Sequence, residues 1–370
     1  MFTTRKMKSI HKICKRRKSR VVKIGNIAIG GDNPIAVQTM VNTPPEKVDL
    51  TISEINRAAE CGAEIVRVAV PDRRAAEALA DIKKGTDVPL VADIHFNYRF
   101  ALMAADAGFD KLRINPGNIG GEDNVRAVVE KAAEKGLPIR IGVNHGSVET
   151  ELVDKYGGPK PEAMVESALR HVEILERHNF RDIVISIKGS SPLETIECYA
   201  LIADKCDYPL HLGVTEAGTE FVGAIRTAVA LGHLLHEGIG DTLRVSLSAD
   251  IEKEIKAGWA ILQGLGIRRR GLELISCPSC GRTETDVYEL AGKVEKALEK
   301  VTTDIKVAVM GCLVNGPGEA ANADIGVIGG KGRIMLTRRG EILGRYEESE
   351  IFDALMREIS SFEKEKAQIK

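Results

Sequence analysis

The chain has 370 residues, 52 Lys and Arg against 53 Asp and Glu, a formal net charge of −1, and 44% hydrophobic but only 4% aromatic residues. This is the balance of a soluble globular protein with no electrostatic footprint for nucleic acid, and no apolar run approaches the roughly 18–20 residues that a membrane span needs. Seven cysteines in this length are too sparse for a secreted disulfide framework, so reduced thiols in a cytoplasmic setting are expected.

The first segment is basic. Ten Lys or Arg fall between Arg5 and Lys23, and no acid precedes Asp32. It lacks the apolar core of a signal peptide; the expectation is a solvated tail over residues 1–20, with a transit peptide as the alternative. Cys14, within it, has no evident partner.

Short β-rich runs then alternate with amphipathic helical ones. Strands are predicted at Pro34–Met40, Glu64–Val70, Pro89–His95, Lys111–Asn115, Pro138–Asn144, Asp182–Lys188, Pro209–Thr215 and Asp241–Ser248. Helical patterns follow them at Leu50–Cys61, Arg73–Lys84, Arg99–Ala107, Asp123–Lys135, Pro161–Asn179, Pro192–Cys206, Thr219–Leu231 and Ala249–Leu265. Apolar strands each followed by a crossover helix imply a parallel sheet covered by helices. Eight such units predict an α/β fold with a TIM (β/α)8 barrel over residues 21–266. An open doubly wound sheet is disfavoured because no G-x-G-x-x-G turn follows the first strand.

Each strand ends in polar residues, and in a barrel those ends converge on one catalytic face. Arg67, Arg113, Arg140 and Lys188 bring cations there. Like charges at one rim repel unless an anion joins them, and guanidinium forks suit phosphate oxygens. A substrate with more than one phosphate group is therefore expected. The competing reading is that Asp93 and Glu216 neutralise these arginines within an ordinary ion-pair network. His95 and His145 are catalysts or merely hydrogen-bonded mouth residues. Cys61, Cys198 and Cys206 fall on helical faces and read as packing residues.

Gly266-Ile267-Arg268-Arg269-Arg270-Gly271 reads as a connector. A small α/β unit over residues 267–370 follows, with strands at Leu272–Ser276, Ile305–Met310, Ile325–Ile328 and Arg333–Thr337 and helices at Val287–Val301 and Glu348–Phe362. Two segments there carry soft ligands: Ser276-Cys277-Pro278-Ser279-Cys280-Gly281-Arg282, and Gly311-Cys312-Leu313-Val314-Asn315-Gly316-Pro317-Gly318-Glu319. Both lie just past strand ends. Three thiols and one carboxylate, with no His after His236, fit a cubane iron–sulfur cluster with one exchangeable oxygen ligand better than structural zinc. A zinc knuckle and a redox dithiol at Cys277 and Cys280 remain open alternatives.

These strings, together with Val-Gln-Thr-Met-Val-Asn-Thr, Ala-Asp-Ile-His-Phe, Arg-Ile-Asn-Pro-Gly-Asn, Arg-Ile-Gly-Val-Asn-His-Gly and Leu-Gly-Val-Thr-Glu-Ala-Gly, resemble those of the bacterial 4-hydroxy-3-methylbut-2-enyl diphosphate synthase family (IspG/GcpE) of the methylerythritol phosphate pathway. The likeness runs from about Arg20 to beyond Gly340 and leaves out only the basic tail. It implies a barrel joined to a domain similar to sulfite reductase modules, and a [4Fe-4S] cluster on Cys277, Cys280, Cys312 and Glu319. It implies reductive ring opening and dehydration of 2-C-methylerythritol 2,4-cyclodiphosphate, with electrons from flavodoxin or ferredoxin. It also implies a homodimer in which the barrel of one chain faces the cluster domain of the other. On this resemblance Arg113, Arg140 and Lys188, with Arg67, Asn144 and Ser246, bind the diphosphate. Glu216 supplies a proton, and a flexible loop at Asn315–Gly318 lets Glu319 swing away. The other classes to weigh are a non-redox iron–sulfur hydro-lyase and a zinc-stabilised phosphosugar-binding protein.

Overall fold

The computed structural model describes residues 15–299, 301–330 and 332–369. Cys14 and the first 14 residues of the basic segment lie outside these. The chain divides into two compact units between Arg268 and Arg269.

The first unit opens with a hairpin, β1 (Val22–Ile24) against β2 (Ile27–Ile29), turned at Gly25, whose φ of 57° suits glycine. Eight parallel strands follow: β3 (Ala36–Met40), β4 (Ile65–Ala69), β5 (Leu90–Asp93), β6 (Lys111–Ile114), β7 (Ile139–Asn144), β8 (Ile183–Lys188), β9 (His211–Leu212) and β10 (Thr242–Leu243). Their order is β8-β7-β6-β5-β4-β3-β10-β9, and a parallel bridge from Ile185 to Leu210 joins the two ends into a barrel. The expected TIM barrel is thus the fold of this unit. The hairpin, which the sequence reading did not anticipate, caps the barrel's N-terminal end. Its Val22, Ile24 and Ile29 pack with Ala36, Ile65, Val91 and Val184, inward residues near the starts of their strands.

Local chemistry sets the helix starts. Asp72 accepts from the backbone of Ala75 at 3.0 Å, and Ser191 caps a helix with Pro192 in its first turn. A short helix at Thr150–Tyr156 precedes the predicted one at Pro161 and is too brief to mark itself in the sequence pattern.

The basic segment differs from the expected solvated tail where it is described. Arg17 donates to the carbonyls of Ala203, Cys206 and Tyr208, at the end of one helix and beyond it. Arg16 and Ser19 bond Asp241 at 2.9 and 2.8 Å, and Arg20 pairs with Asp207. Those acids precede β9 and β10, so residues 16–20 strap the barrel base beside its two shortest strands.

The second unit is a five-stranded sheet: β11 (Leu272–Ser276), β12 (Ile305–Met310), β13 (Ile325–Ile328), β14 (Ile334–Arg338) and β15 (Glu341–Tyr346). The first three are parallel and the last two antiparallel. Helices Val287–Ala297 and Glu348–Ile369 cover it, and Val294, Val307, Val309, Val327, Leu336 and Leu355 form its own core. β15 escaped the sequence reading because it is an edge strand with Ile342 and Leu343 exposed, so no buried alternation marks it.

Candidate active site

Three neighbouring strands place Asp93, Arg113 and Arg140 in one row, since Asp93 pairs with Arg113 and Arg113 with Arg140 in the ladder. Side chains on a strand alternate between faces, so Lys111 and Arg113 both point inward, as do Arg140 and Gly142. Arg113 Nη1 donates to Asp93 Oδ1 at 3.0 Å, and Arg67 Nε lies 3.6 Å from Asp93 Oδ2. Lys111 reaches across the interior to Gln38 Oε1 at 3.2 Å, and Arg140 bonds Ser186 Oγ. Arg244, just past β10, lies 3.5 Å from Glu254. Lys188 has no carboxylate partner among the described residues.

Most TIM barrels fill this space with branched aliphatic side chains. Here six cations (Arg67, Lys111, Arg113, Arg140, Lys188 and Arg244) are met by two carboxylates, Asp93 and Glu254, an excess of four positive charges if all are ionised. Burial, Arg244 and the other arginines push Lys188 well below its usual range; burial, Arg140 and Arg67 do the same to Lys111. Arg67 falls only to about 10, burial being opposed by Asp93, so it stays protonated at neutral pH. Burial alone would raise the Asp93 carboxyl, but Arg67 and Arg113 override it and hold Asp93 well below the carboxylate range. Buried donors are also left over: Gln38 Nε2, Arg113 Nε, Arg140 Nε and Nη2, and Arg244 Nε have no partner among the described residues. Orphaned buried donors beside excess positive charge suit an anionic ligand with several acceptor oxygens.

Lys111, His211 and Arg244 were missed by the sequence reading. His211 is buried at the start of β9, its Nδ1 2.8 Å from Thr242 Oγ1; burial and Arg140 push its pKa well down, so the ring is neutral. Alternation was the available signal: Lys111 lies two residues before Arg113 and Arg244 two before Ser246, on the same faces.

The rim holds the remaining candidates. Asn144 ends β7 and its backbone N–H bonds Ser147 Oγ at 2.9 Å. Ser246 is half-buried beyond β10. Glu216 is exposed and left-handed, φ 53°, a conformation uncommon outside glycine. Among the described residues it makes no ion pair with an arginine, so of the two acids in the competing reading Asp93 alone pairs with Arg67 and Arg113. His95 is exposed, and His145 lies 3.6 Å from Glu194.

In the second unit β11 and β12 run parallel, with Ser276 opposite Val309. Cys277 and Cys312 therefore leave the same end of the sheet. The Cys277 N–H bonds Val309 O at 3.0 Å, and the loop returns so that Glu284 N reaches Gly311 O at 2.8 Å. The Arg282 guanidinium is held above its usual range by a hydrogen bond to Cys280 and then by the charges of Cys280, Cys312 and Cys277. All three sulfurs thus lie within electrostatic reach of one side chain. Among the described residues no three His, Cys, Asp or Glu side chains already stand at ligand distances. The donor set nonetheless fits an iron–sulfur group: three free thiols at one sheet end, Cys312 buried and Cys280 exposed, with a carboxylate close in sequence. Glu319 is not on a loop as expected. Gly316–Ala320 is a single helical turn, with Glu319 N bonded to Asn315 O at 3.0 Å, so any swing of the carboxylate is a side-chain rotation or an unwinding of that turn.

Residues 19–259 match the family profile described as GcpE TIM-barrel domain, and residues 273–361 match that of the GcpE protein C-terminal domain. The chain belongs to the GcpE family. It is 55% identical over 352 residues to 4-hydroxy-3-methylbut-2-en-1-yl diphosphate synthase (flavodoxin) of Maridesulfovibrio salexigens, covering 95% of this chain and 98% of that protein. It is 52% identical over 350 residues to the protein of the same name from Caldanaerobacter subterraneus subsp. tengcongensis, covering 95% and 99%. Among solved structures, a truncated 3-deoxy-D-arabino-heptulosonate 7-phosphate synthase from Thermotoga maritima aligns with a TM-score of 0.51 at 12% identity, over 68% of this chain and 95% of that one. That likeness speaks to the barrel fold alone. In this GcpE-family chain no helix among the described residues is long and apolar enough to cross a membrane.

Proposed function

We propose that this GcpE-family chain is a 4-hydroxy-3-methylbut-2-en-1-yl diphosphate synthase. It opens the ring of 2-C-methylerythritol 2,4-cyclodiphosphate with two electrons and releases water. The observation that carries the reading is the barrel interior, where cations exceed carboxylates and buried N–H donors await an acceptor. A cyclic diphosphate supplies both the negative charge and the oxygens. Relatives over nearly the whole chain carry the corresponding name, which also supports flavodoxin as the electron donor.

Arg113, Arg140 and Lys188 bind the diphosphate, with Arg67 and Arg244 beside them and Asn144 and Ser246 at the rim. Each charge-assisted bond from a buried donor contributes about 1.5–3 kcal/mol. Asp93 keeps Arg113 and Arg67 oriented without cancelling the field. Glu216, exposed at the strand end, delivers a proton to the departing oxygen. Cys277, Cys280, Cys312 and Glu319 hold a [4Fe-4S] cluster, which when bound supplies single electrons and a Lewis-acidic iron. The thiols require a reducing compartment such as the cytoplasm. The working unit is a homodimer in which one chain's barrel serves the other's cluster.

The test is metal and sulfide analysis of anaerobically prepared protein, followed by addition of the cyclodiphosphate with and without a one-electron reductant. About four irons and four sulfides per chain, and product formed only with reductant, are expected. Colourless protein holding one zinc, or turnover that needs no reductant, overturns the reading.

A further inference from the structure

Gly142 sits inside β7, between the fully buried Ile141 and Val143, and its backbone is not left-handed. A glycine inside a strand weakens it, and often marks a place where another group approaches closely. Here the approaching group is a cation. A Cβ built on Gly142 would stand 2.6 Å from Arg113 Nε and 2.9 Å from Arg113 Nη2, with Cζ at 3.2 Å. The guanidinium therefore fills the space that any side chain at this inward position would take. From there it donates to Asp93 Oδ1 at 3.0 Å and to the Gly142 carbonyl at 3.4 Å, while Nε is left without a partner.

The same arrangement recurs two strands along, on the other flank of β8. Gly213 directly follows β9, and a Cβ there would stand 2.8 Å from Lys188 Nζ and 3.0 Å from Lys188 Cε. It would also meet the Arg244 carbonyl oxygen at 2.9 Å, so this second seat is shared with backbone. Two inward glycines, each with its side-chain space filled by a different buried cation, are two separate observations of one device.

We infer that Gly142 and Gly213 are positioning residues of the anion site, their vacant side-chain spaces being the seats that fix the Arg113 guanidinium and the Lys188 ammonium toward the diphosphate. Long basic side chains have many rotamers, and a charge-assisted hydrogen bond tolerates only a few tenths of an ångström of error. A seat in the wall removes that freedom. A methyl group at 142 moves the guanidinium out of the wall, away from Asp93 and into the volume that the substrate needs. The inference rests on the proposed role of Arg113 and Lys188 as diphosphate ligands.

The experiment is a double-mutant cycle of Gly142→Ala and Arg113→Met in the full-length protein. Its readouts are thermal unfolding, calorimetric binding of the cyclodiphosphate, and steady-state kinetics. Gly142→Ala is expected to fold, to bind at least about tenfold more weakly, and to carry the loss in KM rather than kcat. In the Arg113→Met background the same alanine should change affinity by less than about twofold, because no guanidinium remains to be displaced. Native affinity in Gly142→Ala, or a full further loss in the double variant, overturns the seat. Native affinity in Arg113→Met instead removes the diphosphate role of Arg113. If Gly142→Ala fails to fold, the double variant decides: a folded double variant places the clash at the guanidinium, and an unfolded one assigns the glycine to the backbone. Gly213→Ala with Lys188→Met repeats the cycle at the second seat.

Discussion

Asp93 is the residue on which the barrel's charge balance turns. It touches both Arg67 and Arg113 and is almost wholly buried. Replacing it by Asn leaves those guanidiniums with no carboxylate, and breaking one side of a buried ion pair costs roughly 3–5 kcal/mol. Asp93→Asn is therefore expected to lose stability of that order in urea unfolding at pH 7. The pH dependence has a definite sign. The folded carboxyl is held well below its unfolded value of about 3.9, so its contribution is complete above that pH and fades as the pH falls below it. The gap between wild type and Asp93→Asn should narrow from about pH 4 downward; a gap as large below that pH as at neutral pH would show that the carboxylate charge is not its source. At this scale much was legible. Arg67, Arg113, Arg140 and Lys188 stand in apolar runs where a cation has no reason to be unless the strand faces a polar interior. Lys111 was not legible in the same way, because at the start of a strand it resembles an ordinary flanking charge.

At the scale of elements, the weak point of the barrel is the seam between β8 and β9. The sequence predicts long strands at Pro209–Thr215 and Asp241–Ser248, yet β9 and β10 each keep two residues in the ladder. The buried Tyr199 explains part of this. Its hydroxyl accepts from Ile187 N at 3.2 Å and donates to the His211 carbonyl, so a side chain stands between two backbone groups that would otherwise pair directly. Nothing in the local sequence announces it, since Tyr199 belongs to a helix on the outside of the barrel. Tyr199→Phe leaves one buried N–H and one buried carbonyl unpaired, each with a penalty of about 1–3 kcal/mol. A loss of at least about 1 kcal/mol in urea unfolding is expected, and wild-type stability in that variant would mean that the seam is held by other bonds. The hairpin β1–β2 and the turn Gly316–Ala320 were hidden for a simpler reason. Three residues per strand, or five in a helix, are too few for any periodicity to register.

For the whole molecule, the division into units was visible in the glycine-flanked run Gly266–Gly271, and the chain divides within it, after Arg268. That division also separates the chemistry. The excess cations lie in the first unit, and the three thiols past strand ends lie in the second. The described cysteines of the first unit, Cys61, Cys198 and Cys206, lie on or near the ends of barrel helices rather than in the interior. The proposed reaction needs both parts, and the proposed dimer supplies them from different chains. This can be tested without a further structure. Arg113→Ala weakens substrate binding in the barrel and Cys312→Ala disables the thiol set, so at substrate levels well below the raised KM neither variant alone should turn over appreciably. If each site combines parts of two chains, refolding or co-expressing the variants in equal amounts makes half the dimers mixed, and each mixed dimer has one intact site. About a quarter of the wild-type rate per chain then returns. If both parts act within one chain, no chain in the mixture is intact and no activity returns. Size-exclusion of the mixture before assay ensures that an inactive result comes from dimers and not from separated chains.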